Sequence, residues 1–262
     1  MLAAALLLAP MSGCVREGAA WYFEPPELRQ AERVVMDRLQ AIDATVQAAA
    51  EDLAASGVAG PAVQAVLDRL TEADPAIASS HLLDANGRAV GIAPLSYQPT
   101  ARVELGGLPH VRQVLDGKTP VLSPVVQSPQ GPYAIALHWP VLGPNGTLLG
   151  CVGVQLRYVA MLEQVLQPIY SVSPFDAFIL QLDGRILFDR DPNERGRNVF
   201  EDDFYRTFPE FVAVAHDMVA SPEGRANARF LSTGHHSIRP QSFVWSTVAL
   251  HGTEWRVVLS RD

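Results

Sequence analysis

Leu28, Ala31, Val35, Leu39, Ile42, Val46, Ala49 and Leu53 recur every three or four residues, the period of one face of an α-helix. Nothing breaks the pattern between Glu27 and Ser56-Gly57, so the spacing predicts a rod of about thirty residues, roughly 45 Å long at 1.5 Å per residue. That exceeds an average globular helix. Such a helix either spans more than one domain or pairs with a partner copy. A shorter helix is expected from Pro61, a residue type suited to the first turn, with Val63, Val66, Leu67 and Leu70 on one face. The two helices occupy residues 27–73.

From Ile77 to Leu156 the pattern becomes that of strands. "HLLDANGRAVG", from His81, reads as a hairpin turning at Asp84-Ala85-Asn86-Gly87. A short helix follows around His110, with Gly117 suited to a left-handed stop. Three further strands are separated by "SPQG" and "GPNG" turns. Residues 157–172, "RYVAMLEQVLQPIY" and its end, predict a linking helix with Val159, Leu162, Val165 and Leu166 on one face. From Phe175 the order restarts. "FILQLDGRILFD" repeats the hairpin, "FVAVAHDMV" is helical, and three strands close residues 175–262. The expected fold class is α+β: a long N-terminal helix, then two copies of one antiparallel sheet-and-helix module.

Composition sharpens this picture. The chain has 262 residues, 48% hydrophobic and 18% charged, with a formal net charge of −8. A folded globular protein fits these values, and a general nucleic-acid binder, which carries a basic face, does not. The opening "MLAAALLLAPMSGC" holds an apolar run of roughly ten residues, too short for a bilayer span of about twenty. It reads as a secretory signal, and Met11-Ser12-Gly13-Cys14 resembles a bacterial lipobox, with Cys14 as the lipid attachment point. No basic residue precedes the run, so the true start is expected to lie upstream. Acyl chains on Cys14 would hold residues 15–262 at a membrane surface on the extracytoplasmic side. The other cysteine, Cys151, reads as a small core residue. No later segment approaches eighteen apolar residues.

Two stretches, "LPHVRQVLDGKTPVLSPVV" and "YAIALHWPVLGPNGTLLGCVGVQL", followed by "FDRDPNERGRNVFED" in the second unit, resemble the double Cache (dCache) sensor domains. These tandem PAS-like modules form the extracytoplasmic parts of many chemoreceptors and histidine kinases. The resemblance covers nearly all of residues 27–262 and rests on the order of these features. It implies that the first module lies distal to the membrane and holds a small polar metabolite such as an amino acid, carboxylate or amine. The amino-acid-binding subgroup carries Arg-x-Trp-Tyr and a late Asp. Here Leu108, Pro109, His110 and Val111 stand at the first place and Gln155 at the second, so that subgroup's clamp is not supported and the ligand class stays open. Tyr97 and Arg102 lie too early for that register.

In the strand from Tyr133 to Trp139, alternation puts Tyr133, Ile135, Leu137 and Trp139 on one face and Ala134, Ala136 and His138 on the other. The two alanines leave room, and His138 offers a hydrogen bond. Ser123, His110 and Arg102 are expected to converge there, the arginine suiting a carboxylate. The candidate ligand-binding residues are therefore Arg102, His110, Ser123, Tyr133, His138 and Gln155. His235-His236, adjacent on a strand, point to opposite faces and make a poor chelate. The loop "DRDPNERGRNVFEDD" reads as solvated rather than as a Ca²⁺ site. There is no Gly-x-Ser-x-Gly elbow and no phosphate loop or His-Glu-x-x-His. No enzyme, cofactor or metal is expected. Partners are a small-molecule ligand, a membrane through the lipid, a membrane signalling protein and, through the long helix, a second copy. The alternative is a lipoprotein that dimerises through that helix and takes no ligand; a periplasmic hydrolase ranks below it.

Overall fold

The computed structural model describes residues 25–96, 105–127, 133–232 and 237–262. Helix α1 (Pro26–Ser56) opens on a proline and ends at Gly57, whose amide donates to the Leu53 carbonyl at 2.9 Å. Its stripe is buried along the whole length, from Leu28 to Leu53. The stripe packs on α2 (Pro61–Glu72), on α4 (Tyr158–Tyr170) and on both sheets. Of the two uses expected for so long a helix, the structure shows the first: it is a spine for two modules. The apolar face is spent within the chain, and Arg33, Asp37, Gln40, Gln47 and Glu51 face solvent, so that face leaves no seam for a second copy. Each buried Leu or Ile contributes about 1.5–3 kcal/mol.

The repeated wording of the two hairpins has a physical cause. Strands β1 (Ile77–Asp84) and β2 (Ala89–Ala93) form the first. There the Asp84 carboxylate accepts from the Asn86 and Arg88 amides, both at 2.9 Å. Strands β7 (Asp176–Gln181) and β8 (Ile186–Asp189) form the second, with Asp183 accepting from the Arg185 amide at 3.0 Å. The turn glycines, Gly87 and Gly184, have φ of 80° and 89°, a region glycine enters without steric cost.

Helix α3 (Pro109–Gly117) differs from expectation in its stop. The left-handed residue is Lys118, φ 52°, not Gly117. Beyond it lie β3 (Val121–Leu122), β4 (Val126–Gln127), β5 (Tyr133–Leu142) and β6 (Leu148–Leu156). The first sheet runs β2-β1-β6-β5-β3, with β4 also paired to β5. Helix α5 (Pro209–Ala220) and strands β9 (Gly224–Ser232), β10 (Ser237–Leu250) and β11 (Thr253–Arg261) complete the second, in the order β8-β7-β11-β10-β9. Both sheets are antiparallel and share one order: hairpin at one edge, last strand in the middle, penultimate strand beside it. Tandem PAS-like modules are thus the architecture.

Each sheet has two differently covered faces. Leu82, Leu137, Val152 and Val154 of the first, and Ile179, Val257 and Leu259 of the second, join α1 in one continuous core. The opposite faces carry smaller clusters under α3 (Leu83, Val111, Val114, Cys151) and under α5 (Phe178, Phe211, Val214, Phe243). Burial pushes the Cys151 thiol up to about 12, Asp84 adding to it, which suits an inert core cysteine. Direct bonds tie the modules together. Asp43 of α1 accepts from Trp139 Nε1 at 2.6 Å and lies 2.7 Å from His251 Nε2 in the β10–β11 turn. The buried Gln181 Oε1 accepts from the Val125 amide at 2.9 Å. Among the described residues no helix is long and apolar enough to cross a membrane. Cys14 and the leader lie outside the described residues.

Candidate functional site

Strand alternation holds as expected in β5, and its α3-facing row is the place where chemistry gathers. His81 of β1 and His138 of β5 both pair with Gly153 of β6, which lies between them. A β-carbon on Gly153 would stand 2.3 Å from His138 Cδ2, 2.6 Å from His138 Nε2 and 2.9 Å from His81 Nε2. The missing side chain therefore lets two imidazoles meet across the intervening strand. Their Nε2 atoms are 2.9 Å apart, and the ring centroids 5.0 Å, so the rings meet nearly head-on. One ring donates and the other accepts. A metal ion does not fit between them, because zinc needs about 2.0 Å to each nitrogen. Among the described residues no group of three His, Cys, Asp or Glu side chains is arranged to hold a metal.

His110, at the start of α3, completes the cluster, its ring 5.3 Å from that of His138. All three histidines are buried. Burial pushes His81 down to about 4, with His110 adding to it. Burial also lowers His110 and holds His138 well below the ordinary value, its two neighbours adding. The cluster is neutral at pH 7. His138 Nδ1 is buried with no hydrogen-bond partner among the described residues. Such an atom costs about 1–3 kcal/mol if left unmet.

The candidates read from the sequence fare unequally. His110 and His138 come together. Gln155 lies on the same face of β6, half-buried, across from Ala136. Ser123 is buried, but its hydroxyl donates to the Pro124 carbonyl at 2.7 Å and accepts from the Ala136 amide at 2.9 Å. It shapes the turn out of β3 rather than offering a free group. Tyr133 does not converge: it sits on the opposite face, 52% exposed, with its ring 5.2 Å from the Arg185 guanidinium of the second module. Arg102 and Tyr97 lie outside the described residues, as do His235 and His236.

Two features escaped the sequence reading. His81 was legible only as part of a hairpin, because nothing in one strand says which residue sits across from it two strands away. The loop read as solvated turns partly inward. Asp189, Asp191 and Glu194 line a cavity of about 40 Å³ beneath α5. It lies on the face of the second sheet that corresponds to the histidine face of the first.

With this geometry in hand the known proteins can be compared. Residues 37–157 match the HK/GC/Chemotaxis protein-like sensor domain family. No curated protein matches the sequence. An extracellular ligand binding receptor from Desulfohalobium retbaense DSM5692 superposes with a TM-score of 0.77 at 26% identity, over 93% of this chain. This chain spans 41% of that receptor's length. The ligand-binding domain of the Pseudomonas aeruginosa PAO1 amino acid chemoreceptor PctB, solved with L-Arg, gives 0.67 at 18% identity, over 90% of this chain and 92% of that one. That of the Pseudomonas fluorescens chemoreceptor CtaA, solved with L-alanine, gives 0.64 at 18%, over 90% and 94%. At such identities the last two share the fold. The chain has the tandem PAS-like fold of the double Cache sensor domains, and its residues 37–157 match the sensor-domain family of HK/GC/chemotaxis-like proteins.

Proposed function

We propose that this chain is an extracytoplasmic sensor that takes a small polar metabolite beneath α3 in its first module, at His81, His110 and His138, with Gln155 beside them. The observation that carries the reading is His138 Nδ1, a buried polar atom with no partner among the described residues. It belongs to a neutral imidazole cluster in the module that the resemblance to double Cache domains implies holds the ligand. A pocket of this kind is mostly apolar, with a few polar groups fixing orientation. Lipid on Cys14 would hold the domain at the membrane. A membrane signalling protein would receive the event, which requires that the ligand favour one of two conformations.

The test is a thermal-shift and calorimetric screen of the full chain against amino acids, organic acids, amines and purines. A saturable ligand is expected whose affinity falls about tenfold or more in His138→Ala, the worth of one buried hydrogen bond. If the ligand is a carboxylate, it stabilises the imidazolium. Binding then takes up protons and strengthens below pH 7. Silence across the panel, or a ligand indifferent to both His138→Ala and His81→Ala, removes the proposal.

A further inference from the structure

The cavity beneath α5 belongs to a different module and a different chemistry. At about 40 Å³ it has room for roughly three waters, each needing about 10–15 Å³. Its lining is mixed: the carboxylates of Asp189 at the close of β8 and of Asp191 and Glu194 on the loop after it, with Asp176, Gln241 and Ser260 as further polar groups, and phenyl rings beside them. Phe211 of α5 and Phe230 of β9 stack with centroids 4.1 Å apart, and Phe243 of β10 lies 5.5 Å from Phe211.

Two of the three cations nearby are occupied elsewhere. Arg190 pairs with Asp176 at 2.6 Å. Arg195 gives its Nε to the Asp189 backbone carbonyl at 2.7 Å and forks its head onto Glu163 of α4 at 3.2 and 3.3 Å. Arg197 lies over the Phe204 ring and 3.6 Å from Asp202; its Nη1 is buried without a hydrogen-bond partner among the described residues, and its charge partly offsets that of Glu194, leaving Asp189, among the described residues, as the buried carboxylate that no cation offsets. No ion pair among the described residues reaches Asp189 or Asp191. The Asp189 carboxylate accepts from the Asp191 amide at 2.7 Å, and Glu194 accepts from the Tyr205 hydroxyl. Burial raises both carboxyls, Asp189 well above the ordinary range. A cation brought into the cavity would recover that cost.

We propose that this cavity is a second ligand site, selective for a small organic ammonium ion, with its charged head on Asp189 and Glu194 and its carbon skeleton against Phe211, Phe230 and Phe243. The phenyl rings in the lining favour an organic cation over a metal ion, and among the described residues no group of three His, Cys, Asp or Glu side chains is arranged to hold one. Ca²⁺ takes 6–8 oxygens, whereas an alkylammonium gains from apolar contact and from the ring quadrupoles at once.

Calorimetry and thermal shift on the full chain test this, with n-propylammonium and tetramethylammonium chloride as probes. The controls are n-propanol, NaCl at equal ionic strength, and CaCl₂. A saturable response to at least one ammonium is expected, absent with propanol and NaCl. It should weaken about tenfold or more in Asp189→Asn and in Glu194→Gln, the order of one cation contact desolvated by burial. It should stay unchanged in His138→Ala, which separates it from the first-module reading. The proposal is overturned by no saturable ammonium response, by propanol binding equally well, or by calcium binding in place of ammonium. Binding undiminished in the Asp189→Asn/Glu194→Gln double variant overturns it too. Circular dichroism melts establish that each variant folds, and either single variant suffices if the other does not.

Discussion

Replacing Gly153 by alanine puts one methyl group where two imidazoles meet. Its β-carbon would lie 2.3 and 2.6 Å from atoms of His138 and 2.9 Å from His81 Nε2. Neither ring can retreat freely: both are buried, His138 against His110 and His81 on the inner strand of the edge hairpin. Overpacking of this kind costs about 1–3 kcal/mol, and the broken imidazole–imidazole hydrogen bond adds about 1 kcal/mol. Alanine returns about 0.5–1 kcal/mol by restricting the unfolded strand. The net expectation is a loss of about 1–3 kcal/mol, read as a Tm lowered by about 2–4 °C per kcal/mol in a chain of this size. Urea unfolding of wild type, Gly153→Ala, His138→Ala and the double variant forms the cycle. With the imidazole gone, the new methyl falls into space the ring vacated, so the substitution should cost little in that background. A coupling energy of about 1–2 kcal/mol is expected, within the range for residues in contact. A Gly153→Ala protein that melts like wild type, or one whose cost is the same without His138, would refute the account of why glycine stands there.

The imidazole cluster also sets a pH dependence. A histidine whose folded value is depressed binds fewer protons folded than unfolded. Its contribution is therefore complete above about 6.5 and shrinks as pH falls toward the value of about 4 held by His81. The slope is about 1.4 kcal/mol per pH unit for each such group. The urea-midpoint difference between wild type and His81→Gln should narrow from pH 7 to pH 5, and a constant difference would count against a neutral His81. Asp189 behaves in the opposite sense. Its carboxyl is raised by burial, so the folded state is favoured in acid and penalised as pH rises; Asp189→Asn, which keeps an acceptor for the Asp191 amide, should raise Tm at pH 8 and lose that advantage near pH 4. Arg256, 3% exposed, donates from Nε to the Met218 and Ser221 carbonyls at 2.8 and 3.0 Å, satisfying the C-terminal end of α5. Arg256→Met should cost about 2–4 kcal/mol in urea unfolding, and Lys, which lacks the planar fork, should restore only part.

What could be read from the sequence follows from which interactions are local. The spine was legible because the burial of α1 repeats every three or four residues, and each turn meets the same continuous core. The two hairpins were legible because Asp84 and Asp183 bond amides two to four residues away, so their turns are written in a few adjacent letters. The fate of Ser123 was hidden because its hydroxyl is taken by a carbonyl one residue on and an amide on a paired strand. Tyr133 was misplaced for a related reason. Alternation assigned it correctly to the face opposite His138, but its neighbour Arg185 comes from a module that begins some forty residues later. His81 and Gly153 needed the order β1-β6-β5, and the sequence of one chain does not state which strand lies in the middle.

The repeat makes the second cavity more than an accident of packing. In both modules a short helix covers the same sheet face, away from α1, while the other face is committed to the shared core. The committed faces can vary little, because each residue there touches several others in a close-packed interior. The faces under α3 and α5 are freer, and there the two copies have diverged in opposite electrostatic directions: neutral imidazoles in the first, carboxylates and phenyl rings in the second. Bonds from Asp43 to Trp139 and His251, and from Gln181 to Val125, fix the two copies to one helix and to each other. A ligand that shifts either face therefore acts on a frame both modules share. The second module holds a cavity on that face, and Asp189, whose charge burial penalises, lines it.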